Sequence, residues 1–386
     1  MRLRGPVLLV LVIVAVAALG LGGFVGEAPN RLLSGRPILL FPAVGAPFSA
    51  GLAALLALLF TTAFMRPRAA LDRGVAIVAG LLLLSALTAL GAAAGRLAAT
   101  APAAARIAPG AGFWVLAGIA ALALVEALRR LDAGAGARCL AAAAVCAGAA
   151  LLALSGRFDA LALAQEYASR RQVFAAALVR HIALVAGSVG PAVLVGVPLG
   201  LAAARRPPLR GPLFAGLSVV QTIPSIALFG LLIAPLSALA RAVPALAALG
   251  LSGIGVAPAL IALFLYALLP IVRNTAAGLL GIEAGVIEAA RGMGLSPRQI
   301  FRQVELPLAA PVMLAGLRVV TVQTIGLAVV AALIGAGGLG RFVFEGLGEY
   351  ALDLILLGAI PVILLALAAD FALGALAAAV RRRFQQ

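Results

Sequence analysis

The residues able to do chemistry in this 386-residue chain are few. There is one histidine, His181, and there are two cysteines, Cys139 and Cys146. His181 has no partner histidines or carboxylates beside it, so a metal centre or a nucleophilic triad is not expected. An interfacial or packing role remains. The cysteines lie in one apolar run and read as small buried residues rather than a disulfide or metal ligands. All 29 basic residues are arginine. Without lysine the chain cannot carry the Gly-x-x-x-x-Gly-Lys loop that cradles ATP phosphates, so any ATP that drives it is bound by another polypeptide. Gly335-Ala-Gly-Gly-Leu-Gly340 matches the dinucleotide pattern G-x-G-x-x-G, but follows an apolar run rather than a strand. A tight turn or re-entrant segment accounts for those glycines. No catalytic residue, cofactor or metal is expected.

Three polar groups remain, all in or beside apolar stretches. Gln221, Thr222, Pro224 and Ser225 interrupt one run. Pro224 removes a backbone hydrogen bond and kinks a helix there, and the polar side chains either resatisfy the freed groups or line a pathway. Thr321, Gln323 and Thr324 form a second cluster. The third group is a charged island, residues 288–307, carrying Glu288, Arg291, Arg298, Arg302 and Glu305.

The elements that must position these groups are membrane helices. Hydrophobic residues make up 64% of the chain and charged residues 11%, against about 25% charged in soluble domains. The net charge of +16 is spread in short groups between apolar runs. That pattern is a topology signal and excludes a nucleic-acid face. Apolar runs at 6–26, 45–65, 74–95, 111–128, 138–155, 176–204, 212–239, 255–273, 311–335 and 351–380 predict about ten transmembrane helices, an all-α polytopic protein. Arg2 and Arg4 before the first run fit a retained first helix, and also fit a signal peptide with small residues near Ala15–Ala18. With both termini inside, most arginines fall on that side, among them Arg66, Arg68, Arg129, Arg130, Arg205, Arg206, Arg298, Arg302 and Arg318. The positive-inside rule then puts both termini and the 274–310 loop in the cytoplasm.

Residues 156–175 are more polar and read as an amphipathic external (periplasmic) helix dividing the chain. Before it, 1–155 is an accessory bundle of about five helices rich in Ala, Leu and Gly. After it, 176–383 holds prolines and polar residues within its apolar runs, and the pathway is placed there. Small-residue pairs at Gly196/Gly200, Gly22/Gly26 and Gly91/Gly95 fit close helix packing. An ion-coupled carrier would need mid-helix acidic or histidine sites; Asp370 and Glu126 are read as lying toward helix ends.

The island has a local grammar. Residues 288–293 form a short helix ended by Gly294. Ser296, Pro297 and Gln299 read as N-cap, first-position proline and capping-box partner. A second helix runs to Glu305, and Leu306-Pro307 stops it.

Glu288-Ala289-Ala290, Gly294, Val304 and Leu306-Pro307 resemble the cytoplasmic signature of permease subunits of binding-protein-dependent ABC importers: Glu-Ala-Ala, three residues, Gly, nine residues, Ile, one residue, Leu-Pro. The one departure is Val304 for Ile. The stretches 221–229, 266–275 and 332–340 resemble the glycine betaine/carnitine/choline (osmoprotectant) branch, over roughly 170–383. The amino-terminal extension is similar to a subgroup with extra helices. The resemblance implies a five-helix type I importer core, working as a dimer with an identical or related permease. It implies an ABC ATPase partner docking on Glu288, Ala289, Ala290, Arg291, Gly294, Leu306 and Pro307. It also implies a periplasmic or lipid-anchored substrate-binding protein and residence in a bacterial inner membrane. Import of another small solute, such as an amino acid, and ion-coupled transport are the alternatives.

Overall fold

The computed structural model describes residues 6–384 except 31, 32, 34, 67, 103 and 249. Arg2 and Arg4 lie outside the described residues. The chain divides into two units: Met1–Ser169 with Gly348–Asp353, and Arg170–Leu347 with Leu354–Gln386. Among the described residues eight helices are long and apolar enough to cross a membrane, and two shorter apolar helices, Pro6–Leu21 and Ala46–Thr62, accompany them. A helix suits that setting because it satisfies its backbone polar groups internally.

The first unit holds α1 (Pro6–Leu21), α2 (Leu40–Val44), α3 (Ala46–Thr62), α4 (Ala69–Ala98), α5 (Ala111–Arg130), α6 (Ala135–Leu154) and α7 (Ala162–Ser169). Helix α4 packs against α3, α5 and α6. The core is built from leucines such as Leu52, Leu59, Leu82 and Leu116, with Phe24 edge-on to Phe113 at 5.9 Å. This unit also contains an antiparallel three-stranded sheet, ordered β2-β1-β3, from β1 (Val25–Ala28), β2 (Arg36–Ile38) and β3 (Arg106–Pro109). The sequence reading contained no strands. Their register pairs Val25 with both Ile38 and Pro109. Arg106 on β3 pairs with Glu166 and Asp353, each at 3.5 Å.

Several expectations are corrected here. Residues 156–175 are not one amphipathic helix: a turn leads into α7, and the chain breaks at Arg170 before the next helix. The cysteines are exposed, not buried, and share one face of α6, whose most apolar window has no buried residue. Gly22 and Gly26 are no helix pair, because α1 ends at Leu21 and Gly26 sits in β1. Gly91 lies against the Arg157 backbone, whereas Gly95 meets nothing.

The second unit holds α8 (Arg171–Arg205), α9 (Pro207–Thr222), α10 (Ser225–Ala242), α11 (Pro244–Ala248), α12 (Val256–Leu280), α13 (Ala284–Gly292), α14 (Pro297–Ile300), α15 (Leu306–Val330), α16 (Gly340–Gly348) and α17 (Leu352–Phe384). Helix α12 is the central post, packed between α8 and α15. Close approach makes this possible. A Cβ on Gly200 would lie 2.5 Å from that of Thr275 and 2.8 Å from the Val272 carbonyl, and one on Gly196 would lie 2.8 Å from Ile271. On the α15 side, Gly316 sits against Asn274 in the same way. These are the small-residue contacts by which membrane helices pack without a hydrophobic drive between them.

Two helix boundaries differ from expectation. The 212–239 run is two helices, since Ile223 is extended and Pro224 caps α10. Pro224 forces the residue before it out of the helical region, so the chain breaks rather than kinks. Conversely, Leu306-Pro307 stops nothing. A π-turn, Phe301–Glu305, joins α14 to α15 in one helical stretch, Pro297–Ile334. The wider turn accommodates Pro307, which lacks the N–H and whose ring opposes the regular ladder.

Candidate functional site: a capped coupling segment and a clasped helix break

The charged island folds by local rules. Helix α13 ends in a Schellman closure: Leu295 N–H donates to the Ala290 carbonyl at 3.2 Å and Gly294 N–H to that of Arg291 at 2.9 Å. Gly294 has φ +79° with open space where a Cβ would lie, so the left-handed backbone, not crowding, is what favours glycine there. Ser296 opens α14 with a capping box, its backbone N–H donating to Gln299 Oε1 at 2.8 Å while Gln299 N–H donates to Ser296 Oγ at 3.4 Å. The helix, turn and second helix read from the sequence are present, but the first begins earlier, at Ala284, and the second runs on into α15.

This arrangement sorts the signature residues. Glu288, Ala289, Arg291 and Gly294 are exposed, as is Met293 at 72%. Ala290 is buried at 2%, so it packs the segment together instead of facing outward. Leu306 is partly exposed and Pro307 half-buried at the start of α15. Sequence reasoning missed the anchor. Glu305, 6% exposed in the π-turn, bonds the guanidinium of Arg205 at the end of α8. A buried carboxylate is costly unless paired, and this pair fixes the segment to a membrane helix. Arg210 finishes the same corner, donating to the Ala203 carbonyl at 3.1 Å and so satisfying an end group of α8. The signal for Glu305 was its place among exposed charges; its partner lies 100 residues away.

The break between α9 and α10 is held by α12 through a reciprocal clasp. Pro270 has no N–H, which leaves the carbonyl of Tyr266, one turn earlier, without its helical donor. Gln221 Nε2 donates to that carbonyl at 2.9 Å. In return the Tyr266 hydroxyl donates to the carbonyl of Ile223, the extended residue at the break. Thr222 bonds only its own turn, at the Val219 carbonyl, 2.7 Å. Ser225 begins α10 half-buried and Pro224 is exposed. Just beyond, Arg273 donates to Ser218 Oγ at 2.9 Å and stacks over Phe214 at 5.7 Å.

The second polar cluster is dispersed around α15. Thr324 is buried, Thr321 bonds the Leu317 carbonyl at 2.8 Å, and Gln323 is exposed. At about 100° per residue, Gln323 lies well round the helix from both threonines, whereas Thr321 and Thr324, three residues apart, share a face. Among the described residues no hydrogen bond joins them to Gln221, Thr222 or Ser225. His181 is fully buried, its Nε2 3.1 Å from the Ile325 carbonyl, beneath the Gly335–Gly340 turn. It is a packing residue. Gly335, Gly337 and Gly338 all have positive φ, as a tight turn requires.

One more pair was not anticipated. Arg318 and Asp370, on α15 and α17, form a two-pronged ion pair. Asp370 lies near the middle of α17 and not toward its end, and Arg318 lies well inside the Pro297–Ile334 stretch rather than at the cytoplasmic border.

Apolar helices of membrane-spanning length, with a capped charged segment and a clasped helix break among them, define a polytopic helical membrane protein. Residues 196–384 match the binding-protein-dependent transport system inner membrane component, and residues 2–164 match the ABC transporter permease YehY, N-terminal domain. The carnitine transport permease protein OpuCB of Listeria monocytogenes is 43% identical over 197 residues, 51% of this chain and 83% of that protein. The osmoprotectant import permease protein OsmW of Salmonella typhimurium is 42% identical over 194 residues, 50% of this chain and 85% of that protein. A chain of the MetNI methionine ABC transporter aligns at 24% identity and a TM-score of 0.48, covering 54% of this chain and 97% of that one. The chain belongs to the family of binding-protein-dependent ABC transport permeases, and carries the YehY-type amino-terminal domain in addition to the permease core.

Proposed function

We propose that this chain is the permease subunit of an ABC importer that carries an osmoprotectant, such as glycine betaine, carnitine or choline, into the cytoplasm. The observation that carries the reading is the 43% identity to a carnitine transport permease over 197 residues, 83% of that protein. A separate ATPase subunit supplies the energy, a substrate-binding protein delivers the solute at the outer mouth, and a second permease, identical or related, completes the pathway. The chain sits in a bacterial inner membrane with both termini and the coupling segment on the cytoplasmic side. The 1–155 helices are accessory and the pathway runs through 176–383.

The exposed residues Glu288, Ala289, Arg291 and Gly294 meet the ATPase. Movement there reaches α8 through Glu305–Arg205 and α15 through the π-turn, because both are fixed to the segment. The clasp around Gln221, Pro224 and Tyr266 is the yielding point at which α9 and α10 reorient.

The test is assembly and uptake with the ATPase and binding protein in proteoliposomes. Glycine betaine or choline uptake is expected, and is expected to vanish when the ATPase's phosphate-binding lysine is replaced. Uptake that persists with that dead ATPase overturns the reading. Gly294→Val is expected to release the ATPase and Gly294→Asn to keep it, since asparagine tolerates the left-handed backbone far better than a β-branched residue. Equal retention of the ATPase by both variants removes the docking assignment.

A further inference from the structure

We infer that the Arg318–Asp370 pair is a charge-reading station for the cargo, selecting zwitterions over simple cations. This rests on the osmoprotectant reading above. Both residues lie inside membrane-length helices, where ionisable groups are rare and usually functional. Unlike Glu305, neither is sealed in: their side chains are 43% and 35% exposed in the single chain. They border a cavity of about 620 Å³, a size typical of small-molecule sites. Gln323 adds an uncharged polar group to its wall, and Pro311 and Arg381 lie at the helix ends nearer the coupling segment. Gly374 leaves room beside the guanidinium; a Cβ there would lie 3.4 Å from Arg318 Nη1.

The chemistry follows from what can replace each half of the pair. Opening the pair leaves a carboxylate and a guanidinium to be satisfied at membrane depth. Glycine betaine supplies both counter-charges, its carboxylate to Arg318 and its trimethylammonium to Asp370, so the exchange conserves ion pairs. Choline carries the same trimethylammonium but a hydroxyl in place of the carboxylate. It meets Asp370 and leaves Arg318 without an anion, an unfavourable state for a partly buried charge. A pair serving only as a strut between α15 and α17 would show no such difference.

The test is the ratio of glycine betaine to choline uptake by the intact complex in proteoliposomes, with one binding protein throughout so that its own preference cancels. Arg318→Gln is expected to lower the ratio at least fivefold, because betaine loses its anion site. Asp370→Asn is expected to raise it at least fivefold, because the remaining arginine repels choline and still holds a carboxylate. Ratios that stay within twofold of wild type, or that move the same way in both variants, overturn the inference. If one variant fails to assemble, the signed shift of the other decides it. If the wild-type complex moves neither solute, the osmoprotectant reading fails. The station is then judged by the same variants with methionine against its cationic methyl ester, with the same signs expected and the same overturning outcomes.

Discussion

The two units use proline in opposite ways. In the first, the long helices α3 to α6 contain no internal proline; Pro47 sits in the first turn of α3, and Pro37 and Pro109 lie in strands. In the second, α8, α9, α10, α12, α15 and α17 all carry proline inside. Each internal proline frees a carbonyl, and the freed group must find another donor or face a cavity. Around Tyr266 it finds Gln221. A helix interrupted and then re-tied by single hydrogen bonds is easier to move than an unbroken one. The comparison therefore separates a scaffold of continuous helices from a core with built-in points of yield.

The largest effect should come from the tight α8–α12 contact on which the yielding parts turn. Gly200→Leu forces a side chain into Thr275 and the Val272 carbonyl, an overpacking that costs about 3 kcal/mol. Thermal unfolding in detergent is expected to show a large loss of stability. In the first unit, a Cβ added at Gly80 in α4 would meet nothing within 4 Å, and Gly80→Leu is expected to shift stability by less than about 1 kcal/mol. Equal damage at both positions would break the comparison.

Next in size is the anchor of the coupling segment. Arg205→Ala strands the Glu305 carboxylate, 8% exposed, while Arg205 itself is half open to solvent, so the expected cost is about 2 kcal/mol. Retention of the ATPase on purification should fall, and Arg205→Ala combined with Glu305→Gln should recover part of it, since no buried charge is then left alone. If the double variant is as poor as the single one, the anchor acts by some means other than charge pairing.

What was legible beforehand follows the same division between local and distant. The capping box at Ser296 and Gln299 and the closure at Gly294 involve neighbours a few residues apart, and residue types alone announce them. The apolar runs gave the helices because membrane spans need sustained hydrophobicity. Arg205–Glu305 and Arg318–Asp370 join residues 100 and 52 apart, and nothing in their surroundings names the partner. The strands β1 to β3 are three or four residues long and carry glycine or proline, so no alternation could mark them. The π-turn was hidden because Leu306-Pro307 ordinarily signals an end. The reading against ion coupling rested on the scarcity of mid-helix carboxylates. Asp370 is such a carboxylate after all, but an arginine occupies it.

The smallest effects test the clasp itself. Gln221→Leu removes one of its bonds and Tyr266→Phe the other, each expected to cost about 1 kcal/mol of stability. The two bonds close one ring between the α9–α10 break and α12, so they should be coupled. The double variant is expected to lose less than the sum of the single losses, because the second bond is weakened once the first has let the break loosen. Thr222→Val, next to Gln221 but bonded only within its own turn, is the control, expected within about 0.5 kcal/mol of wild type. Strict additivity of the first two changes, or a Thr222 effect as large as theirs, would mean that the break is held by general packing. It would then yield no more readily than the continuous helices of the first unit.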